Sequence, residues 1–295
     1  MVEQRTPISS RTIAEDDPVP DVKNVVLIMS GKGGVGKSTV AANLSLALVR
    51  AGYRVGLLDA DMYGPSVPTL LGITGQPLSD GKRIRPLERF GLRLMSIGFL
   101  LDDPKSAIVW RGPMLHGALV QFLKDVDWGG LDFLILDLPP GTGDIALTLS
   151  QRVRANGSLI VTTPQEVALQ DVYKSVSMCQ KVGIPITGVV ENESYFLCDG
   201  CDKRHELFGS GGGQKVAEFA GAPLLAQIPL HPDVRQWGDA GTPVVQASPG
   251  SGSAKAFVDL AERLVVELDR HNAETSEGLV IDRSGGVNKH LPIAR

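Results

Sequence analysis

The sequence predicts an α/β fold in which a mostly parallel sheet is covered by helices on both faces. Short runs rich in Val, Ile and Leu alternate along the chain with longer segments whose apolar residues recur at helical spacing. Strands that are apolar throughout are typical of parallel strands buried on both sides. The 295 residues are 43% hydrophobic and only 5% aromatic, and they include 34 glycines and 19 prolines. This composition favours buried aliphatic strands joined by tight turns, and it excludes a wholly disordered chain.

The predicted elements alternate in type from residue 24 to residue 270. The predicted strands are Asn24–Met29, Arg54–Leu58, Leu92–Ile97, Phe133–Leu136, Ser158–Thr162, Ile186–Val190 and Leu224–Ile228. The predicted helices are Lys37–Ala51, Met114–Lys124, Ile145–Arg154, Glu166–Val182 and Lys255–Arg270. In the last helix, Phe257, Leu260, Leu264 and Leu268 mark one apolar face at helical spacing.

The chain is predicted to form one domain over residues 22–271, flanked by two loose ends. Residues 1–21 are polar and contain three prolines, which predicts a disordered N-terminal arm. Residues 272–295 are polar and contain few apolar positions, which predicts a flexible C-terminal tail. No internal repeat is present between the two ends.

The charge balance and the apolar runs argue against several classes of partner. The formal net charge is −4, and no dense basic run is present, so we expect no nucleic-acid partner. No apolar stretch approaches the roughly 18 residues that span a bilayer, so we expect no membrane partner. The first residues lack the apolar core of a signal peptide, and the odd number of cysteines does not suit a disulfide framework. We therefore expect a cytoplasmic protein.

A glycine-rich segment follows the first predicted strand and opens the first predicted helix. Its sequence satisfies G-x-x-x-x-G-K-[ST], the pattern of a phosphate-binding loop (P-loop), in the strand–turn–helix context that the pattern requires. Backbone N–H groups of such a loop surround phosphates, and the helix N-terminus favours anions. We expect Lys37 to contact the β- and γ-phosphates and the Ser38 hydroxyl to bind Mg²⁺. The predicted nucleotide-binding residues of the loop are Gly31, Lys32, Gly33, Gly34, Val35, Gly36, Lys37, Ser38 and Thr39.

Acidic residues at two strand ends are predicted to complete a site that hydrolyses nucleotide. Asp137 directly follows Phe133–Leu136, where a carboxylate would help to hold Mg²⁺, and Asp59 after the second strand is a further magnesium candidate. Asp61 is the better candidate to position the attacking water. The segment Pro139–Asp144 is typical of a switch that senses the γ-phosphate. Carboxylates at strand ends are also common as helix caps, so each of these assignments has a simpler alternative.

Cys198 and Cys201 form a Cys-x-x-Cys pair in a predicted loop. Two thiolates at this spacing can chelate one metal ion or one edge of a cluster, but a full site needs about four ligands. The simplest completion is a second chain, so that two pairs bridge a [4Fe–4S] cluster on a dimer axis. A zinc site with His205, a redox disulfide and an inert pair are the alternatives. The third cysteine, Cys179, falls in a helical pattern and is interpreted as a small buried hydrophobe.

With its additional lysine, Lys32, the P-loop resembles the deviant phosphate loop of the class that includes MinD, ParA and the nitrogenase iron protein. Further motifs resemble, more narrowly, the Mrp/ApbC-type iron–sulfur cluster carrier ATPases. The segments that carry this resemblance are Gly31–Thr39, Leu57–Ser66, Arg111–Met114, Asp137–Asp144, Thr162–Gln165, Val190–Phe196, Cys198–Cys201, Phe208–Gly213 and Ile228–Leu230.

The resemblance implies a Mg²⁺-dependent ATPase that works as a homodimer and binds ATP between its halves. It implies that Lys32 contacts the phosphates across the dimer interface and that Asn192 matches the position that reads adenine. It further implies a [4Fe–4S] cluster that bridges the two subunits on Cys198 and Cys201. Such a protein receives its cluster from a scaffold donor and transfers it to apo iron–sulfur proteins.

Two residues depart from the pattern of that family. Glu193 stands where the family usually has methionine, and Asp199 replaces the usual proline between the cysteines. Both add negative charge near an anionic cluster, which could lower its reduction potential or loosen it, but neither removes a ligand.

Two other functions compete with that of a cluster carrier. A MinD/ParA-like positioning ATPase, with a structural zinc in the Cys-x-x-Cys loop, would need a basic amphipathic helix for a membrane or a basic stripe for DNA. Neither pattern is present in the sequence. A reductase like the nitrogenase iron protein would take its cluster thiolates from two distant segments, and the Cys198/Cys201 pair does not fit that arrangement.

Overall fold

The computed structural model describes most of the chain between residues 6 and 281. The described residues are 6–61, 64–100, 112–141, 149, 152–198, 200, 201 and 203–281.

An eight-stranded sheet forms the centre of the molecule, and a separate two-stranded hairpin lies beside it. The strands are β1 (Val22–Ser30), β2 (Val55–Asp59), β3 (Leu87–Arg89), β4 (Leu92–Ser96), β5 (Leu131–Asp137), β6 (Gly157–Thr162), β7 (Gly188–Glu191), β8 (Phe196–Leu197), β9 (Arg204–His205) and β10 (Leu224–Gln227). The order in the sheet is β10-β7-β6-β1-β5-β2-β4-β3, while β8 and β9 pair with each other. All neighbours in the sheet are parallel except β3 and β4. The fold class predicted from the sequence is therefore confirmed.

The described helices connect these strands and cover the sheet. They are α1 (Lys37–Arg50), α2 (Val67–Leu70), α3 (Gly112–Asp125), α4 (Glu166–Val182), α5 (Gly212–Ala220), α6 (Pro232–Asp239), α7 (Val244–Ala247) and α8 (Gly252–Ile281), and a 3₁₀ turn covers Ile97–Leu100. None of the helices within the described ranges is both long enough and apolar enough to cross a membrane.

Two crossovers that start from the centre of the sheet run in opposite directions. The chain leaves β1 through α1 to reach β2, and it leaves β6 through α4 to reach β7 on the other side of β1. Because crossovers between parallel strands are right-handed, α1 and α4 lie on opposite faces of the sheet. The strand order reverses between β1 and β6, so the carboxyl ends of these two strands border the crevice where α/β proteins bind ligands.

The predicted strands and four of the predicted helices are present, with small differences at their ends. Strand β5 is buried along its whole length and runs two residues further toward the N-terminus than expected. The predicted helix Ile145–Arg154 lies largely outside the described residues. The sequence analysis did not predict β3, the β8–β9 hairpin, or helices α2, α5, α6 and α7.

The N-terminal arm differs from the prediction of disorder, since its described part packs on the domain. Arg11 is only 4% exposed and forms an ion pair with Asp17, which is also buried. The same guanidinium donates to the carbonyl oxygens of Val19 and Val22 at 2.9 and 3.2 Å. A buried arginine with a full set of acceptors holds this segment in place, so the proline content was a misleading indicator of disorder.

The boundary predicted at residue 271 is also wrong, because helix α8 continues through it to Ile281. Asn272 is 3% exposed, and its side-chain amide donates to Asn24 Oδ1 at 2.9 Å and to the Ser9 carbonyl oxygen at 3.1 Å. On the preceding turn, Asp269 accepts a hydrogen bond from the Ser9 hydroxyl at 2.6 Å. The N-terminal arm and the last helix therefore bind each other, and Asn272 links both of them to Asn24 near the start of β1.

Candidate functional site

The P-loop joins the end of β1 to the start of α1, as the sequence predicted. Gly36 precedes the helix with φ +78°, and no side chain caps the first turn of α1. The N–H groups of that turn are therefore available to an anion. Gly34 also has a positive φ, of +80°, which a residue with a Cβ adopts only at a cost.

Lys37 lies at the centre of a cluster of charged groups beneath the loop. Its Nζ is 2.6 Å from Asp137 Oδ1 and 3.6 Å from Asp61 Oδ2, and it lies 3.4 Å from Ser38 Oγ. Lys37 is 6% exposed and Asp137 is fully buried. The structure thus brings together four of the predicted catalytic and magnesium-binding residues: the lysine, the serine and two aspartates.

Asp137 and Asp59 are paired in register on neighbouring strands, which places two carboxylates side by side in the interior. Burial, together with the charge of Asp137, raises the pKa of Asp59 to about 8. Burial also raises the pKa of Asp137, against the opposing effect of the Lys37 ammonium. Two buried acids with raised pKa values form a site that an additional positive charge would stabilise.

The two acids differ in the hydrogen bonds that they already make. Asp137 Oδ2 is buried and has no hydrogen-bond partner among the described residues. Asp59 accepts hydrogen bonds from Asp61 N at 3.1 Å, from Val67 N at 3.3 Å and from Ser96 Oγ at 3.0 Å. An orphaned carboxylate oxygen next to the Ser38 hydroxyl fits a Mg²⁺ ion, whereas Asp59 chiefly orders the segment that carries Asp61.

Asn192 joins the end of β7 to the P-loop. The residue is 6% exposed, and its Nδ2 donates to the carbonyl oxygen of Val35 at 2.9 Å. Its backbone N–H donates to the carbonyl oxygen of Thr162 at 2.8 Å, which fixes the side chain at the end of β6. A cavity of about 230 Å³ opens here, bordered by Asn192 and by Gly36 and Thr39 of the P-loop. The predicted base-reading residue therefore lies beside both the loop and a cavity.

Lys32, another predicted site residue, makes no contact with this cluster among the described residues. Lys32 is partly exposed on the loop, and its backbone carbonyl oxygen accepts a hydrogen bond from Ser30 Oγ at 3.0 Å. Its ammonium makes no ion pair within the described part of the chain. This placement is consistent with a contact to something outside the subunit. Asp144, in the second predicted switch, lies outside the described residues.

The cysteine pair lies in the turn of the β8–β9 hairpin. Cys201 is exposed and Cys198 is half-buried, and the backbone N–H of Cys198 donates to the carbonyl oxygen of Lys203 at 3.0 Å. The Arg204 guanidinium lies 4.0 Å from the centre of the Tyr195 ring, which holds the base of the hairpin. In the part of the chain that the structure describes, no three His, Cys, Asp or Glu side chains converge to hold a metal ion. His205 therefore does not complete a zinc site with the pair there.

The sequence analysis missed Glu191, a fully buried acid at the end of β7. Its carboxylate accepts hydrogen bonds from Ser194 Oγ at 2.6 Å, from Gln227 Nε2 at 2.8 Å and from Gly213 N at 2.5 Å. These bonds join β7 to β10, to α5 and to the segment that leads to the cysteines. An acid directly after an apolar strand, next to Asn192, was the available signal.

Comparison with known proteins identifies the family. Residues 21–265 match the family described as ParA: NUBPL iron-transfer P-loop NTPase. The chain belongs to this family. The match covers most of the chain and confirms the resemblance and the P-loop NTPase activity expected from the sequence.

Members of the NUBPL-type family from distant organisms are similar over most of the chain. An iron-sulfur cluster carrier protein from Aquifex aeolicus is 53% identical over 251 residues, which cover 83% of this chain and 68% of the relative. The iron-sulfur cluster transfer protein NUBPL of Mus musculus is 44% identical over 269 residues, which cover 90% of this chain and 84% of the relative.

Solved structures show the same fold. A nucleotide-binding protein from Archaeoglobus fulgidus, solved with ADP, is 37% identical, with a TM-score of 0.69 over 80% of this chain and 93% of that one. The cell division ATPase MinD of Pyrococcus furiosus is 27% identical, with a TM-score of 0.60 over 82% and 98% of the two chains.

The contact between Gly36 and Asn192 gives a first testable prediction. A Cβ on Gly36 would lie 2.2 Å from Asn192 Nδ2, in addition to the strain of φ +78°. We expect Gly36→Ala to weaken ADP binding, measured by calorimetry, by clearly more than the roughly tenfold that left-handed strain of about 1–2 kcal/mol accounts for, because the new Cβ also displaces Asn192. Gly34→Ala is the matched control, because it imposes similar strain with no atom within 4 Å of the new Cβ. Equal losses in both variants would contradict a role for the Asn192 contact.

Proposed function

We propose that this protein is an ATP-hydrolysing iron–sulfur cluster carrier that holds a [4Fe–4S] cluster between two subunits and transfers it to apoproteins. The observation that carries this proposal is the placement of the cysteine pair. Cys198 and Cys201 lie at the turn of a hairpin whose first strand begins four residues after Asn192, the residue that contacts the P-loop. One short segment thus connects the nucleotide site to the two thiols. The names of the relatives from Aquifex aeolicus and Mus musculus support the same function.

The proposed dimer follows from a shortage of ligands in one chain. A [4Fe–4S] cluster takes four thiolates, and the hairpin offers two. Since no third metal-binding side chain joins them within the described residues, a second copy of the chain is the simplest source of the other two. The exposure of Cys201 leaves the pair open to such a partner. The proposed acceptors are apo iron–sulfur proteins, and the proposed donor is a scaffold protein.

The charged cluster under the P-loop supplies the groups for hydrolysis. Ser38 and Asp137 would hold Mg²⁺, which neutralises phosphate charge when it is bound. Lys37 stabilises the charge that develops on the β- and γ-phosphates, and Lys32 adds a second positive charge from the loop or from the partner. Asp61 lies 3.6 Å from Lys37 Nζ and orients the attacking water. Asp59 acts on the reaction by holding the backbone of Asp61 in place.

Anaerobic reconstitution with iron and sulfide tests this function. We expect about four iron and four sulfide per dimer, and we expect the variant with both Cys198→Ala and Cys201→Ala to retain less than about a tenth of that amount. Cys179→Ala is the matched control and should load normally. Cys179 is fully buried, and burial raises the pKa of its thiol to about 11, so it makes a poor ligand.

The same preparation distinguishes the competing function. One tightly bound zinc per chain, with no iron retained, would contradict the cluster proposal and favour a positioning ATPase with a structural metal. A loaded dimer that fails to activate an apo iron–sulfur enzyme would contradict the transfer step alone.

A further inference from the structure

The cavity beside the P-loop contains a carboxylate that the hydrolysis mechanism does not use. Its wall is formed by Gly36 and Thr39 on one side and by Asn192, Glu193 and residues around Leu230 on the other. At about 230 Å³ the cavity is smaller than the roughly 300 Å³ at which whole-ligand sites begin. A space of this size, directly beside the phosphate-binding loop, suits the base of a nucleotide whose phosphates lie on α1.

Glu193, in this wall, combines an unusual backbone conformation with a carboxylate that has no partner among the described residues. Its φ is +54°, a left-handed conformation that it shares with only one other non-glycine residue in the described ranges. The side chain is half-buried, and its carboxylate has no hydrogen bond or ion pair with any described residue. Burial without a partner raises the pKa of Glu193. Strain of this kind is concentrated at functional sites, and a carboxylate with no protein partner can accept hydrogen bonds from a ligand in the cavity.

Arg235 and His231, two other polar side chains of the cavity wall, already have partners within the protein. Arg235 forms an ion pair with Asp239 at 2.7 Å, and His231 Nδ1 accepts a hydrogen bond from the backbone N–H of Asp233 at 3.2 Å. Asn192 uses one N–H on the carbonyl oxygen of Val35 and keeps its second N–H and its Oδ1. A bound base therefore meets an amide that can both donate and accept, and a carboxylate that can only accept.

The two purine bases differ in the hydrogen-bond donors that they present to such a carboxylate. Guanine presents two adjacent donors, its ring N1–H and its 2-amino group, which match the two oxygens of a carboxylate. Adenine presents one donor, its 6-amino group, beside the ring N1 acceptor, which opposes the second oxygen. A site that can hydrogen-bond a ligand discriminates strongly against an analogue that leaves its polar groups unpaired.

We infer that Glu193 is a specificity-determining residue that admits guanine, so that the protein hydrolyses GTP as well as ATP at the same site. Asn192 accommodates either purine, and Glu193 supplies the paired acceptors for the donor edge of guanine. This inference rests on the nucleotide site of the proposed function, but not on the cluster or on the dimer. The cluster proposal can therefore fail while this inference stands.

The test compares hydrolysis of ATP, GTP and ITP by the full-length protein. We expect the kcat/KM for GTP to be within about tenfold of that for ATP, and we expect Glu193→Gln to lower the GTP-to-ATP ratio at least about tenfold. ITP lacks the 2-amino group and should fall between the two nucleotides. Glu218→Gln is the matched control, because it neutralises an exposed carboxylate that accepts a hydrogen bond from Gln214 and does not line the cavity, and its ratio should stay within about twofold of the original.

Equilibrium binding of GDP and ADP to the same variants shows whether a change in the ratio comes from recognition of the base, rather than from an effect on folding or on the hydrolysis step. The inference is overturned if the original protein prefers ATP by more than about tenfold. It is also overturned if Glu193→Gln weakens ATP and GTP equally, which would indicate a contact with the ribose or a structural role. Failure to bind either nucleotide would overturn both this inference and the proposed hydrolysis, whatever the cluster content.

Discussion

Replacement of Lys37 by alanine is expected to abolish nucleotide hydrolysis, with a fall in kcat of at least about 100-fold. The ammonium is the charged donor aimed at the phosphates, and it lies 2.6 Å from Asp137 and 3.6 Å from Asp61. Without it, the developing negative charge would face the carboxylates of Asp61 and Asp137 without the ammonium that pairs with them. Steady-state phosphate release with Mg²⁺ and ATP measures the loss.

Lys174→Ala is the control for the loss of a lysine. Its ammonium is largely exposed and forms an ion pair with Asp171 on the same helix, so hydrolysis should be unchanged. The Lys37→Ala protein should still take up a cluster on Cys198 and Cys201, since these thiols lie on a separate hairpin. Normal hydrolysis by Lys37→Ala would show that the site has been assigned to the wrong residues.

The second large effect is expected on stability, from Arg11→Ala in the N-terminal arm. Arg11 and Asp17 are both buried, and the substitution leaves the carboxylate without its cation and removes one hydrogen bond from each of the carbonyl oxygens of Val19 and Val22. Breaking a buried pair in this way typically lowers the free energy of unfolding by about 3–5 kcal/mol. Urea unfolding followed by circular dichroism measures the change.

A double substitution separates the cost of leaving the Asp17 charge without a partner from the cost of losing the packing of Arg11. Replacing both Arg11 and Asp17 by apolar residues removes the uncompensated charge, so the double variant should recover much of the stability that the single variant loses. A loss of less than about 1 kcal/mol in Arg11→Ala would mean that the arm is detached in solution, as its proline content had suggested.

The parts of the fold that the sequence predicted well are those with a strong local pattern. The apolar run before Asp137 and the helical spacing in Glu166–Val182 each indicate one structure without ambiguity. The P-loop is equally explicit, because its glycines and its Lys-Ser-Thr end occur at a fixed spacing between a strand and a helix. These patterns sufficed to anticipate that Lys37, Asp61 and Asp137 converge.

The parts that escaped prediction depend on contacts between distant residues. The burial of Arg11 depends on Asp17 and on two backbone carbonyl groups. The spacing of apolar residues along the sequence does not indicate such a pocket. The role of Glu191 depends on Gln227 and on the start of α5, which lie far along the chain. Glu193 was visible as a departure from a family pattern, but only the backbone shows that it occupies a left-handed conformation beside a cavity.

The position of β1 in the sheet has a consequence for how the protein is made. This strand is synthesised before both of its neighbours in the sheet, since Val26 pairs with Ile135 on one side and Ser30 pairs with Val161 on the other. The hydrogen-bonding groups on both sides of β1 thus stay unpaired until the chain has been synthesised through Val161. Pairing over such long sequence separations is slow and exposes a chain to aggregation. A strand at the centre of the finished sheet is therefore a segment of the nascent chain that has to be protected from aggregation until its partners have been made.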